Sequence, residues 1–323
     1  MALPPRTPKI GLALGSGSAR GWAHIGVLKA LSEAGIRPDV VCGASIGALV
    51  GAAYAAGELE RFAEWVQSLG MREVFGFMDF NLSGGMLKGE KLIDFWRRNF
   101  ADFDIESSTV PFAAVATDLH SGAEVWLREG SIAQSVRASI ALPGLFTPVV
   151  HEGRLLVDGG LVNPVPSTLA RAMGADIVIA VDLNADLVQR HMRPLGVISD
   201  PQAAPTPDAE VVQAQATPWL SRLHNGFRSW MPGSGAGAEA ATLPIPSLLD
   251  VVMTSVNIMQ MRITRSRMAG DPPELVIAPR LAHLGLLDFH RAEEAMEAGY
   301  VAAQAALPGL QHYGWAMQQD QKT

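Results

Sequence analysis

A serine between glycines is the first residue of this sequence whose setting suggests chemistry. Gly43-Ala44-Ser45-Ile46-Gly47 is a Gly-x-Ser-x-Gly sequence that follows a short apolar run, 40–42, and opens a small-residue segment, 46–56, predicted to be helical. A serine on such a strand-to-helix turn exposes its hydroxyl, because the glycines remove Cβ atoms that would clash. The helix N-terminus also stabilises nearby negative charge. We therefore predict that Ser45 is the nucleophile of an acyl-transfer reaction.

The early position of Ser45 argues against the α/β-hydrolase fold. In that fold the nucleophile follows several strands, and the acid and then the histidine come later in the chain. Only about two predicted strands, 9–14 and 40–42, precede Ser45 here. The sequence therefore indicates a different fold around a similar turn.

A glycine-rich turn, Gly15-Ser16-Gly17-Ser18-Ala19-Arg20-Gly21, follows the first predicted strand. Successive small residues between a strand and a helix let backbone N–H groups converge on an anion. A dinucleotide pyrophosphate is one candidate, but Arg20 occupies the place of the third glycine in Gly-x-Gly-x-x-Gly, and no acidic residue ends the second strand. The oxyanion of a tetrahedral intermediate is the other candidate. We favour it because it also accounts for Ser45.

Asp158-Gly159-Gly160 is the third motif, and it follows the short apolar run 155–157. Taken alone, Asp-Gly is a common turn pair, so this aspartate could simply form a turn. We expect it at an exposed strand end, where a substrate could approach.

None of the eight histidines lies in one of these motifs. His24 is on the first predicted helix, where we expect it to fill a face or to be solvated. His283 and His290 have the chain position of a triad base, so they are the alternatives that must be excluded.

Alternating strands and helices must position these motifs. Strands are predicted at 9–14, 40–42, 112–117, 124–127, 155–157, 177–181 and 275–277, and helices at 22–34, 46–56, 59–69, 89–100, 131–139, 167–173, 247–269 and 290–307. The strands 112–117 and 124–127 flank a Ser121-Gly122 turn and predict a hairpin. The pattern as a whole predicts an α/β fold of three layers, α/β/α, with a mostly parallel central sheet.

Composition narrows the class of protein. The chain has 323 residues, 48% of them apolar, and a formal net charge of −7. Such a chain can bury a sizeable core, and its charge argues against nucleic acid as a partner. One cysteine, Cys42, excludes an internal disulfide and a cysteine-rich metal site. Residues 1–9 contain three prolines and no apolar stretch of the signal-peptide kind, so we expect a cytoplasmic protein.

The segment 185–246 breaks the alternation, because it is rich in proline, alanine, glutamine and glycine. We expect one domain over 1–323 with this segment as an insert that acts as a lid or at an interface. Within it, 218–231 carries Trp219, Leu223, Phe227 and Trp230 at helical spacing, which is typical of an interfacial helix. It is a candidate for peripheral contact with the inner face of the membrane. The alternative is that this stripe docks on the main domain.

The three motifs in this order resemble the patatin-like phospholipase family, in particular bacterial members related to the catalytic domain of neuropathy target esterase. The family pattern is a Gly-Gly-Gly-x-Arg-Gly loop, a Gly-x-Ser-x-Gly turn and a later Asp-Gly-Gly or Asp-Gly-Ala. Here two loop glycines are Ser16 and Ser18. Two further segments match, Ser135-Val136-Arg137-Ala138-Ser139-Ile140-Ala141-Leu142-Pro143 and Asn163-Pro164-Val165-Pro166.

The resemblance implies a lipid acyl hydrolase that uses a Ser45–Asp158 dyad, without histidine and without a cofactor. It also implies that the N–H groups of Gly17 and Ser18 bind the oxyanion, and that Arg20 either braces the loop or meets a lipid phosphate. Gly21, Gly43, Gly47, Gly159 and Gly160 complete the motifs. The alternative is a non-catalytic, lipid-binding or regulatory member, which the serines in the loop would favour.

Overall fold

The computed structural model describes residues 7–77, 89–100, 102–186 and 248–313. Apart from residues 185 and 186, the predicted insert 185–246 lies outside the described residues, and so does the whole predicted interfacial segment 218–231. The organisation as one domain with an insert stays a prediction.

Eight strands in the described ranges form one mixed sheet. They are β1 (Ile10–Leu14), β2 (Val40–Ala44), β3 (Phe112–Asp118), β4 (Glu124–Leu127), β5 (Val149–His151), β6 (Arg154–Asp158), β7 (Ile177–Val181) and β8 (Leu275–Ile277). The order across the sheet is β5-β6-β3-β2-β1-β7-β8, and β4 also pairs with β3. The pairs from β3 through β2, β1 and β7 to β8 are parallel, whereas β4 and β6 run antiparallel to β3. The mostly parallel sheet and the β3–β4 hairpin are confirmed. The short strand β5 was not predicted.

Helices cover both faces of the sheet. They are α1 (Ala23–Glu33), α2 (Ile46–Ala55), α3 (Leu59–Gln67), α4 (Met71–Phe77), α5 (Glu90–Asn99), α6 (Ile132–Ser139), α7 (Ser167–Ala172), α8 (Leu248–Gly270) and α9 (Ala292–Ala306). Within the described ranges, each predicted helix is present within two residues of its predicted bounds, and α4 is the α-helix that was not predicted.

The side chains of β1 show why the fold has three layers. Leu12 and Leu14 belong to the larger core cluster, together with α1, α2 and α9, whereas Ala13 belongs to a second cluster that includes Leu169 of α7. Because successive strand residues point to opposite faces, one apolar strand supplies both cores. The predicted α/β/α arrangement is confirmed.

Among the described helices, none combines the length and the apolar character needed to cross a bilayer.

Helix α1 directly follows the glycine-rich turn, and its packing fixes where that turn lies. It contacts α9 through two glycines. A Cβ atom at Gly26 would overlap the carbonyl oxygen of Met296, and one at Gly299 would overlap the carbonyl oxygen of Ala23. The two helices therefore approach backbone to backbone.

We predict that Gly26→Ala destabilises the protein by about 2 kcal/mol, because the added methyl group must displace a helix backbone. At an exposed position within a helix, Gly→Ala raises the free energy of unfolding by up to about 1 kcal/mol. The sign of the change therefore distinguishes a close helix contact from an open one. Urea unfolding measures it. Gly270→Ala is the control, since no atom lies within 4 Å of a Cβ placed there. A neutral or stabilising Gly26→Ala would contradict the close contact.

Candidate active site

Ser45 lies on a strained turn between β2 and α2. Its backbone angles are φ 56° and ψ −126°, a conformation that residues other than glycine rarely adopt. The residue stands at the N-cap position of α2, yet its side chain makes no capping hydrogen bond. The hydroxyl is therefore directed away from the helix it precedes.

The flanking glycines allow this turn to form. A Cβ atom at Gly43 would overlap the backbone of Ala48, and one at Gly47 would overlap the carbonyl oxygen of Leu14. Helix α2 can therefore begin directly on the backbones of β1 and β2, as the spacing of the motif predicts.

The register of β3 explains how Ser45 and Asp158 come together. Ala44, the last residue of β2, is opposite Val115, and Asp158 is opposite the next β3 residue, Ala116. Strand β4 pairs along Ala114 to Thr117, so β2 and β6 must share the other edge of β3. The end of β6 therefore meets the end of β2, where the serine turn begins.

A short hydrogen bond joins the two side chains. Ser45 Oγ donates to Asp158 Oδ2 at 2.5 Å, and the N–H of Gly160 donates to Oδ1 at 2.7 Å. The backbone of the aspartate is held as well, since Thr117 Oγ1 donates to its carbonyl oxygen at 2.8 Å and its N–H donates to Ala141 O at 3.0 Å. The carboxylate is thus fixed by both backbone and side-chain contacts.

Burial is the main electrostatic feature of Asp158. The residue is 0% exposed, so the expectation of an exposed strand end was wrong. The cause is that β6 pairs inside the sheet and ends beneath Ser45, itself only 8% exposed. Removal from water raises the pKa of Asp158 to about 7, although the hydrogen bonds from Ser45 and Gly160 lower it in part.

The glycines after the aspartate let its turn press against neighbouring elements. A Cβ atom at Gly159 would overlap the carbonyl oxygen of Val115. One at Gly160 would lie 2.5 Å from Nε2 of Gln260 and 2.7 Å from Oγ of Ser16. The aspartate turn, the glycine-rich turn and α8 therefore meet at this point.

The glycine-rich turn leaves two N–H groups without a partner. Gly15 N–H donates to Val181 O and Ser16 N–H donates to Pro164 O, but no acceptor among the described residues lies within hydrogen-bonding reach of the N–H groups of Gly17 and Ser18. Ser18 has φ 51°, so a residue with a Cβ atom adopts the left-handed conformation here. The turn reaches the serine elbow, because a Cβ atom at the following Gly21 would overlap the side chain of Ile46.

Arg20 braces this turn from inside the protein. It is 5% exposed, its Nε donates to Leu284 O at 3.1 Å, and its Nη1 donates to Asn184 Oδ1 at 3.2 Å. Asn184 Nδ2 in turn donates to Ser16 O at 3.2 Å. Of the two roles considered for this arginine, these contacts favour bracing.

No histidine in the described ranges contacts the carboxylate of the dyad. Among the described residues, Ser45 and the Gly160 N–H are the partners of the Asp158 carboxylate, and neither is a histidine. His283 and His290 are exposed. They are the two histidines with the chain position of a triad base, and neither contacts Asp158.

His24 has a structural contact with the glycine-rich turn. Its Nε2 lies 2.7 Å from Gly15 O, and since a carbonyl oxygen only accepts, Nε2 must carry the proton and donate. Complete burial lowers the pKa of His24 to about 4, so the ring is neutral at pH 7. The imidazole thus holds the first peptide of the turn.

Besides Asn184, sequence reasoning missed one polar residue at the dyad and another at the glycine-rich turn. Ser139 Oγ accepts the N–H of Ser45 at 2.9 Å and donates to Val115 O at 2.6 Å, which fixes the serine backbone. Its place within 135–143, one of the matching segments, was the available signal. Gln260 on α8 is 3% exposed and accepts from Ser16 Oγ at 3.4 Å, and no motif marks it.

An apolar cavity of about 110 Å³ opens beside Ser45. Besides Ser45 and Ser18, its walls are apolar, and they are formed by Trp22, Ile46, Leu49, Trp65, Leu69, Val74, Leu92, Ile140, Leu142, Leu145, Phe146, Leu287 and Phe289. Such a lining suits an acyl chain and offers no partner for a charged group. In the described ranges, no group of three or more His, Cys, Asp or Glu residues is arranged to hold a metal ion.

Comparisons with known proteins agree with these motifs. The model of the patatin-like phospholipase family matches residues 12–171, which include the glycine-rich turn, the serine turn and the aspartate turn. An NTE family protein of Mycobacterium tuberculosis is 34% identical over 94% of this chain and 93% of its own length.

Two larger relatives match with a smaller share of their own length. Lysophospholipase nte1 of Aspergillus fumigatus is 29% identical over 94% of this chain and 18% of its own length. Patatin-like phospholipase domain-containing protein 6 of Homo sapiens is 39% identical over 54% of this chain and 13% of its own length. With the match along nearly the whole mycobacterial protein, the chain belongs to the patatin-like phospholipase family, among its NTE family proteins.

Proposed function

We propose that this protein is a serine lipid acyl hydrolase in which Ser45 and Asp158 cleave a carboxylic ester of the phospholipid or lysophospholipid type. Membership of the family supports hydrolysis of a lipid ester. The observation that carries the finer proposal is the 2.5 Å hydrogen bond from Ser45 Oγ to a fully buried carboxylate. The name of the fungal relative, a lysophospholipase, supports the substrate class.

In the first half of the reaction, Ser45 Oγ attacks the ester carbonyl carbon and its proton passes to Asp158 Oδ2. A general base works best when its pKa lies near the working pH. Because burial raises the pKa of Asp158 to about 7, the carboxylate can hold the serine proton at neutral pH, which an aspartate in water does poorly. Burial thus does for this base what a histidine does in a triad.

The negative charge that develops on the ester oxygen needs donors fixed in advance. We assign this role to the N–H groups of Gly17 and Ser18, which have no acceptor in the described structure. Each such donor contributes about 3 kcal/mol to the stabilisation of the transition state. His24 and Arg20 hold the turn that carries these donors, and so act as positioning residues.

The acyl-enzyme then forms and is hydrolysed, which releases the fatty acid. Asp158 gives its proton to the departing alkoxide, which leaves an acyl ester on Ser45. The ionised carboxylate then takes a proton from a water molecule as the water oxygen attacks the acyl ester. The bond between the acyl carbon and Ser45 Oγ breaks, Asp158 returns the proton to Oγ, and the fatty acid leaves. The apolar cavity beside Ser45 binds the acyl chain during both steps.

The alternative is a non-catalytic lipid-binding member, and the serines of the glycine-rich turn are what favour it. Ser16 and Ser18 still supply backbone N–H groups, and Ser18 adopts the left-handed conformation that a glycine would adopt more readily. The two functions share a lipid ligand but differ in whether Ser45 reacts.

We predict that Ser45→Ala lowers kcat/KM on a short-chain nitrophenyl ester at least about 1,000-fold, because the nucleophile is lost. Labelling by a fluorophosphonate probe, read by mass spectrometry, checks that wild-type Ser45 is the modified residue. Ser121→Ala, in the β3–β4 turn, is the control. Wild type that neither labels nor hydrolyses would support the lipid-binding alternative, and an active Ser45→Ala would contradict the assignment.

The pH dependence tests the base. Only ionised Asp158 can accept the serine proton, so kcat/KM for an uncharged ester should rise with pH and reach half its maximum near pH 7, where burial holds the pKa. Initial rates between pH 5 and pH 9 give the profile. A profile already flat above pH 5 would indicate a carboxylate with an ordinary pKa and would rule out this account of the base.

The free energy of unfolding should depend on pH, because the ionised carboxylate of Asp158 is unfavourable in the folded state. The folded pKa of Asp158 lies above its ordinary value of 3.8, so the folded state keeps a proton that the unfolded chain releases. The free energy of unfolding therefore falls as pH rises from about 4 to about 7. We predict that Asp158→Asn, which stays neutral, removes this slope and is more stable than wild type at pH 8, by on the order of 2–4 kcal/mol.

Asp118 provides the matched control for this experiment. It is partly exposed, and the N–H groups of Ser121 and His120 lower its pKa, so its charged form is favoured in the folded state. Asp118→Asn should therefore lower stability slightly at pH 8, opposite in sign to Asp158→Asn. Urea unfolding at pH 5 and pH 8 measures both. An Asp158→Asn protein less stable than wild type at pH 8 would contradict the desolvation argument.

A further inference from the structure

Exposed apolar side chains are concentrated on one helix. The described residues include eleven large apolar side chains that are exposed. Four of them lie within nine residues of α8, namely Val251, Val252, Ile258 and Met259, with 45%, 38%, 39% and 51% exposure. The others are distributed over several elements. A cluster of exposed apolar side chains of this kind marks a surface that binds a partner or a membrane.

The spacing of these residues places them on one face. Val251 and Ile258, and likewise Val252 and Met259, are seven residues apart, which is close to two turns of helix. The opposite face of α8 is buried through Met253, Val256, Gln260 and Thr264. Helix α8 thus has one buried face of mixed polarity and, on the other side, apolar side chains that are exposed.

The buried face connects α8 to the cavity beside Ser45. Met253 and Val256 form a small cluster with Leu142, and Leu145 packs against it. Leu142 and Leu145 also line the cavity. The exposed face therefore lies on a helix that packs against two residues of the cavity lining.

The exposed face changes from apolar to basic along the helix. Arg262 and Arg265 are exposed and follow Ile258 at helical spacing, and the acidic residue of α8 is Asp250 near its start. Arg267 is paired with Glu124 of β4 at 2.5 Å. In a chain of net charge −7, this face combines apolar side chains with two exposed arginines, of which Arg265 also interacts electrostatically with the buried Asp182. That combination is complementary to a bilayer with anionic headgroups.

We propose that the exposed face of α8, from Val251 to Arg265, docks on an anionic lipid surface and brings the cavity beside Ser45 to its substrate. This inference rests on the proposed function, because it names the surface from which that site takes its lipid. It concerns a different part of the chain from 218–231, for which the sequence predicts membrane contact.

The test is sedimentation with vesicles. Wild type should bind vesicles of phosphatidylcholine mixed with phosphatidylglycerol, and Ile258→Asp/Met259→Asp should lower the partition coefficient at least about tenfold, because both charged groups would have to enter the interface. Arg262→Gln/Arg265→Gln should remove most of the preference for the mixed vesicles over pure phosphatidylcholine. Val301→Asp is the control, since Val301 is 53% exposed on α9. Circular dichroism and the unfolding midpoint check that each variant is folded.

The same measurement on Ser45→Ala separates the docking inference from the proposed function. Normal vesicle binding by an inactive Ser45→Ala supports both. An active Ser45→Ala would overturn the proposed chemistry. Vesicle binding would still test docking in that case, because sedimentation does not depend on catalysis. Docking is overturned if wild type does not bind the mixed vesicles or if Ile258→Asp/Met259→Asp binds them like wild type. Light scattering that shows a dimer in wild type and a monomer in this variant, with vesicle binding unchanged, would assign the face to a second copy instead.

Discussion

The hydrogen bond between Ser45 and Asp158 depends on a single strand. Strand β3 presents one edge first to β2 and then to β6, so the parallel strand that ends at the serine and the antiparallel strand that ends at the aspartate meet there. Neither side chain needs a long flexible reach, because each follows its strand directly. The consequence is a dyad whose geometry is set by backbone pairing, with Ser139 and Thr117 fixing the two backbones.

In the proposed mechanism, burial makes Asp158 a suitable base, and the same burial lowers the stability of the folded state when the carboxylate is ionised. Asp158 receives two hydrogen bonds, from Ser45 and from the Gly160 N–H, which is too little to offset complete removal from water. The resulting rise in pKa favours proton transfer at neutral pH, but it also means that the folded state resists ionisation of this group. Opposition between stability and activity at one residue is typical of sites that tune a catalytic group.

The sequence predicted those parts of the site that depend on local backbone geometry. The serine turn was predictable because five residues contain the end of a strand, the start of a helix and two glycines, Gly43 and Gly47, that lie against neighbouring backbone. The burial of Asp158 was not, because it follows from the pairing of β6 with β3 and from β5, a strand of three residues with too weak a pattern to be recognised. Asn184 and Gln260 were missed for the same reason, since they contact Ser16 across separations of 168 and 244 residues.

The motifs of the site and helix α8 lie in separate segments of the chain. The family model ends at residue 171, and it contains the serine turn, the aspartate turn and the glycine-rich turn. Helix α8 lies beyond that limit, yet its buried face reaches the glycine-rich turn through Gln260 and packs beside the cavity through Met253. A helix of 23 residues is stiff on this scale, so whatever binds its exposed face is held in a fixed relation to the cavity. In the proposed function, the chemistry and the docking on lipid are therefore carried by separate segments of the chain, which are joined through the contact between Gln260 and Ser16.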